Sequence, residues 1–427
     1  MIAAMIFFGS LAMAAELSTR EGDDAALNRE PGVITLDELL KTARDRNPGL
    51  QGAMQAADAA KSMISPALAL PDPTFTFQHM GDLVPPELQD GDPSSARTFG
   101  ITQEFPFPGK RGLQGEIASV DADIRKIDHL RLSLKLAADI KQAYYDLAYI
   151  HRSIDTVQRN QDLLRNFVAI AQTRYQVGQG VQQDVIKAQV EVLKLRDQLI
   201  RLDRERKIIE ARLNELLYLP VDAPVGVPAG FEKAELTHSL PQLIDLAKAN
   251  SPTLRSRSRG VDREVYGVEL ARKEFYPDFA LGFTYFERGD IPEMYGLMLS
   301  IELPVYSRKK QGPELRAALS GLKGAKYMLA EAESGIYFQI REAYVTAVTS
   351  EERVNLYDSA ILPQARLSLE SAVAGYKVGN VDFLTLVDNV ITLLDYELNY
   401  HEAISEFQKA LARIEPIVGR ELTGLKK

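Results

Sequence analysis

The chain has 427 residues, a formal net charge of −9, and neither Cys nor Trp. The acidic balance argues against a nucleic-acid partner. The lack of Cys excludes disulfides, zinc–thiolate centres, a Cys nucleophile and a lipid-bearing Cys anchor.

Residues 1–14 read as a signal peptide: 2–15 are apolar and small, and Ala12-Met13-Ala14 has an A-x-A pattern, although no basic residue precedes the apolar run. Residues 15–34 are polar, acidic and expected to be flexible. No later stretch reaches the ~18 consecutive apolar residues of a spanning helix. A helix is predicted from Thr35, an N-cap with Glu38 three residues on, through Leu36, Leu39, Leu40 and Ala43 to Asn47-Pro48. Strands are predicted at about 72–80 and 97–105. The spacing then predicts one long helix over 109–175, with Leu113, Val120, Ile127 and Leu134 on a single heptad position. At ~1.5 Å per residue it would run about 100 Å, too long for an ordinary domain and suited to a rod or tube. Gly178 and Gly180 mark a tight reversal. A return helix follows over 183–217, with Val185, Val192, Leu199 and Leu213 on one stripe, interrupted by Arg206, and Ala188, Leu195, Leu202, Ile209 and Leu216 on the other.

The same plan then repeats. Leu36, Leu39, Ala43 and Pro48 correspond to Leu240, Leu243, Ala247 and Pro252. Pro71-Asp72 corresponds to Pro277-Asp278, Glu104-Phe105-Pro106 to Glu302-Leu303-Pro304, and Tyr175-Gln176-Val177-Gly178 to Tyr376-Lys377-Val378-Gly379. A tandem duplication follows, with repeats over 35–217 and 239–420, a Pro- and Gly-rich linker at 218–238 and a tail at 421–427. In the second repeat strands are predicted at about 278–286 and 295–303, and helices at 313–376 and 383–414.

The strands alternate bulky apolar residues with small or polar ones: Phe279, Leu281, Phe283 and Tyr285, then Tyr295, Leu297, Leu299, Ile301 and Leu303. About nine residues of period two match a tilted membrane strand with lipid on one side. A soluble two-stranded ribbon over helices is the other reading of the same pattern. Four strands cannot close a barrel in lipid. Three chains would supply about 12.

With the duplication, the strand–strand–long-helix order and both Tyr-x-Val-Gly turns, the chain resembles the TolC-type outer-membrane efflux family over nearly all its mature length. Gln103-Glu104-Phe105-Pro106-Phe107-Pro108-Gly109-Lys110-Arg111 and Leu70-Pro71-Asp72-Pro73 resemble its heavy-metal (CzcC/CusC-like) branch. The resemblance implies a mainly α fold with a small membrane β part: a trimeric 12-stranded β-barrel above an α-helical periplasmic tunnel. It implies a homotrimer seated in outer-membrane lipid, a periplasmic adaptor protein and a proton-driven, RND-type inner-membrane pump. It assigns adaptor docking to the tips, Val177, Gly178, Gln179, Val378, Gly379 and Asn380. It assigns the pore constriction to Asp184, Thr385 and Asp388, with Thr385 standing where some relatives carry an acid.

Those aspartates also suit the ordinary role of a carboxylate near a helix N-terminus. His79, His129, His151, His238 and His401 form no ligand motif, and the nine Met residues do not cluster. No metal site, cofactor site or enzyme motif is expected; Asp121 and Asp123 sit two apart on a helix, pointing to different faces. Three function classes stay open: an efflux channel, the outer-membrane duct of a type I secretion system, and a soluble periplasmic coiled-coil adaptor.

Overall fold

The computed structural model describes residues 32–231 and 235–422. The expected signal peptide, and most of the flexible segment and tail, lie outside them. β1 (Val33–Ile34) opens the described chain, followed by α1 (Leu36–Arg46), α2 (Pro48–Ser62) and α3 (Ile64–Leu68). Then come β2 (Thr74–Met80), β3 (Ala96–Phe105), α4 (Lys110–Gln176) and α5 (Gln182–Leu217). After β4 (Val227–Pro228) the order recurs: α6 (Leu240–Asn250), α7 (Pro252–Lys273), β5 (Asp278–Glu287), β6 (Met294–Glu302), α8 (Gln311–Leu356), a π-helical turn (Tyr357–Ile361), α9 (Leu362–Lys377) and α10 (Phe383–Val418).

Local chemistry fixes the repeat starts. Thr35 Oγ1 accepts the Glu38 amide at 3.4 Å, and Glu38 Oε2 accepts the Thr35 amide at 3.3 Å. At α6, Gln242 Oε1 accepts the Ser239 amide at 2.8 Å. These are matching capping boxes. Three expectations need correction. The segments at 15–34 and 218–238 are not wholly irregular: Val33–Ile34 and Val227–Pro228 pair as a short parallel ladder. Helices α2 and α3 occupy a stretch without a clear apolar period; among α2 residues only Leu50 is buried.

The third correction is to the helix expected at 313–376. The π turn divides it just before Pro363, which has no N–H for the carbonyl four residues back and whose ring would crowd it. The Leu362 amide bonds instead to the Tyr357 carbonyl. The buried seam slips by one residue there. Ile336, Ile340, Ala343, Ala347 and Ser350 face inward before it. The same spacing would continue through 361 and 375, but Leu362 and Tyr376 are the buried residues.

The long helices fold back as two antiparallel hairpins, α4 with α5 and α8–α9 with α10. Near the tips they share one core, including Leu164, Phe167, Ala188, Leu195, Tyr376, Phe383, Leu386 and Val390. Nearer the sheet each repeat has its own core. Leu39, Ala43, Ile140 and Leu213 belong to the first, and Leu243, Ala247, Ile340 and Ile414 to the second.

The sheet has the order β2-β3-β5-β6, antiparallel throughout. Its register places Phe75, Ile101, Phe283 and Leu297 in one cross-strand row, with Phe77, Phe99, Tyr285 and Tyr295 in the next. Partners in register share a face. Thr76, Gly100, Thr284 and Gly296 form a row on the opposite face. The apolar face is uncovered, Phe75 being 67% and Leu297 89% exposed. Among the described residues both edges, β2 and β6, lack a strand neighbour. No described helix is long and apolar enough to cross a membrane.

Candidate functional site

The two hairpin tips are built alike. In the first, the Gln179 amide donates to the Arg174 carbonyl at 2.8 Å and the Gly178 amide to the Tyr175 carbonyl at 3.1 Å. In the second, Asn380 donates to Gly375 at 2.9 Å and Gly379 to Tyr376 at 3.2 Å. Both are Schellman closures. They require positive φ, and Gly178 and Gly379 have φ of 75° and 81°. Val177 and Val378 project from the tips, 63% and 71% exposed, and Gln179 and Asn380 are also exposed. The structure brings the tips together. Arg174 donates to the Tyr376 carbonyl at 3.1 Å and lies 4.2 Å above the Tyr376 ring. Sequence reading missed this tie; an arginine three residues before the turn was its one signal.

Just past the turns, Asp184 lies half-buried in the first turn of α5. Burial first, and the nearby Asp382 carboxylate second, push its carboxyl above the usual carboxylate range. Asp382 was not singled out from sequence. It is the N-cap of α10, accepting the Thr385 amide at 2.6 Å. The Thr385 hydroxyl, then that amide, hold it below the usual range. Thr385 and Asp388 are exposed, one helical turn apart on α10. Thus Asp184 and Asp382 come within electrostatic reach, and Thr385 serves the cap.

A second constellation joins sheet to helices. Lys110, only 4% exposed, donates from Nζ to Glu274 Oε2 and Asp278 Oδ2, each at 2.9 Å. Burial pulls its ammonium down, but the two carboxylates outweigh that and raise it. The Phe107 amide donates to Asp278 Oδ1 at 2.6 Å, and the Phe107 and Tyr276 rings stack with centroids 4.5 Å apart. The turn after β3 is therefore clasped to the start of β5.

Three of the remaining polar residues have structural partners. Asp121 and Asp123 both reach α7, pairing with Arg263 at 2.8 Å and Arg259 at 3.6 Å. The expected divergence of their directions is corrected by this shared neighbour: α7 runs beside α4 and offers two arginines one turn apart. Arg206, the break in the α5 stripe, pairs with Asp203 at 2.6 Å. Among the described residues no three His, Cys, Asp or Glu converge as a metal-binding group.

The sequence profile of the family described as "outer membrane efflux protein" matches residues 39–217 and 243–420. The cobalt-zinc-cadmium resistance protein CzcC of Cupriavidus metallidurans is 20% identical over 396 residues, spanning 91% of each chain. Among solved structures, the outer-membrane channel OprN superposes with a TM-score of 0.77 at 17% identity, covering 90% of this chain and 89% of its own. CusC superposes at 0.75 with 14% identity, covering 92% and 96%. The fold is therefore that of these channels, which are not enzymes, with one open sheet where a closed barrel needs more strands. The repeats that carry the hairpins are also the two stretches that the profile matches, and the chain belongs to the outer membrane efflux protein family.

Proposed function

We propose that this chain is the outer-membrane channel of a tripartite efflux system and conducts heavy-metal cations from pump and periplasm to the outside. The observation that carries the channel reading is the sheet: an uncovered apolar face and two unpaired edges, continuous with helices about 100 Å long. Open edges are not tolerated in lipid, so several chains must share one barrel. Three copies give about 12 strands, an even number in the range of such barrels. The hairpins then form a periplasmic tunnel, whose Schellman tips meet an adaptor that couples to an RND-type pump. Asp184, Thr385 and Asp388 stand near the tunnel's narrow end.

Likeness to a cobalt-zinc-cadmium resistance protein over 91% of both chains supports metal cations as the substrate class. A conduit needs no tight metal site, because strong binding would slow release. The test is deletion of the gene in its own host, scored for tolerance to cobalt, zinc and cadmium. Lost tolerance, restored by the wild-type gene only when adaptor and pump are present, is the expected result. Unchanged tolerance together with lost secretion of a polypeptide would overturn the reading in favour of a type I secretion duct.

A further inference from the structure

The sheet contains its own template for the contact that closes it. Shift β2 by 206 residues and β3 by 198, and every pair of the first hairpin becomes a pair of the second. Thr74↔Thr102 becomes Ala280↔Ser300, Phe75↔Ile101 becomes Leu281↔Leu299, and Phe77↔Phe99 becomes Phe283↔Leu297. The two hairpins are thus one unit used twice in the same register. Only one seam between units lies inside the chain, where β3 meets β5. A ring of such units needs an equivalent seam between the free edges, β6 of one copy and β2 of the next.

We propose that β6 pairs antiparallel with β2 of a neighbouring copy in the register obtained by moving the β3–β5 seam through those two shifts. Ile101↔Phe283 then becomes Leu299 opposite Phe77 of the neighbour. Gln103↔Leu281 becomes Ile301 opposite Phe75, and Thr102↔Gly282 becomes Ser300 opposite Thr76. Each new pair keeps apolar residues on the apolar face and small or polar ones on the other, which a slip by one residue would scramble. The partner is a second copy of this chain, and the inference rests on the shared-barrel reading above.

The same shifts carry the charge clasp across. Lys110 maps to Arg308, and Asp278 to Asp72. In the isolated chain Arg308 and Asp72 are both exposed, whereas the cation of their internal counterpart is buried. Glu274 maps to Leu68, so the clasp between copies has one carboxylate where the internal one has two. Arg308 of one copy therefore pairs with Asp72 of the next, fastening the turn after β6 to the start of the neighbour's β2. A guanidinium can grip one carboxylate with two donors.

Paired cysteines test this directly, because the natural chain has none. Within one chain β2 and β6 are three strand spacings apart, roughly 14 Å, beyond disulfide reach. Any bridge therefore joins two copies. Ser300→Cys with Thr76→Cys should oxidise to a ladder of linked chains on a denaturing gel, at least about tenfold more efficiently than Ser300→Cys with Thr74→Cys or with Gln78→Cys. Arg308→Asp should lower the yield of assembled protein, and adding Asp72→Arg should restore it. Stronger bridging in a shifted pair, or a multi-chain wild-type particle with no bridge at 76 and 300, overturns the register while leaving the shared barrel standing. A wild-type protein that is monomeric in detergent overturns the assembly, and this seam with it.

Discussion

Replacing Lys141 by Met probes one of the contacts that hold the two repeats together between their separate apolar cores. Lys141 Nζ meets Glu415 Oε2 at 2.5 Å across the α4–α10 boundary, with side chains 6% and 3% exposed. The other oxygen, Glu415 Oε1, accepts the Leu422 amide at 3.2 Å. So little exposure leaves no solvent screening to discount, and removing the cation takes the ammonium away from a buried carboxylate. The expected loss is about 3–5 kcal/mol. The same helices carry an internal control. Lys409 meets Asp146 and Glu406, each at 2.6 Å, but those carboxylates are 37% and 33% exposed, so water takes over part of the lost interactions and Lys409→Met should cost about 1 kcal/mol. A Lys141→Met, Glu415→Leu double variant removes both charges and should lie within about 2 kcal/mol of wild type. Urea unfolding of detergent-solubilised protein, followed by far-UV circular dichroism, measures wild type, Lys141→Met, Glu415→Leu, the double variant and Lys409→Met. If Lys141→Met is no worse than Lys409→Met, or if the double variant loses the sum of its singles, the pair is not the coupled, buried contact described above.

Other outcomes are also open to measurement. Gly379→Val forces a branched side chain into the left-handed region, at about 1 kcal/mol or more; pull-down of the adaptor should weaken and resistance fall while detergent-extracted mass and expression stay at wild-type levels. Asp184→Ala with Asp388→Ala should change single-channel conductance and reduce cation selectivity, and millimolar divalent cations applied from the periplasmic side should block the wild type more strongly than the double variant. The depressed Asp382 carboxyl stabilises the tip above its unfolded-state value, and that contribution disappears as pH falls through the folded value. The raised Asp184 carboxyl acts oppositely, favouring the folded tip at low pH and costing stability as pH climbs from the unfolded value through the raised one. Hydrogen exchange at the tips should therefore show Asp382→Asn losing protection in the neutral range and Asp184→Asn gaining it.

Residues carrying a strong local period were the readable ones. Thr35 with Glu38, the heptad stripe through Leu195 and Leu202, and the alternating Phe283 and Tyr285 each announced an element, because the physics that forms it acts over a few neighbours. The duplication was equally plain, and it located both tip glycines. What stayed hidden depended on distant partners. Lys110 is an ordinary basic residue until β5 folds beside it and supplies Asp278. Arg174 has no visible purpose before the second tip brings Tyr376 beneath it. Helices α2 and α3 bury almost nothing that would print a period, and the slip at the π turn follows from the backbone crowding of Pro363. Asp382 was not read from the sequence, and its coupling to Asp184 required the two tips to be adjacent.

The division of the apolar interior bears on how this chain comes to be built. Leu39, Ile140 and Leu213 can gather as soon as the first repeat has been made, and Leu243, Ile340 and Ile414 likewise need only the second. The layer at the tips is different: Leu164 and Phe167 meet Phe383 and Leu386, roughly 200 positions away. Contacts of such long sequence separation carry a large loop-closure cost and tend to form late. A shorter ancestor holding a single repeat could have filled its own upper layer unaided. Its lower layer would have needed a hairpin lent by another molecule, so fusing two copies turned an encounter between strangers into a connection already made by the backbone.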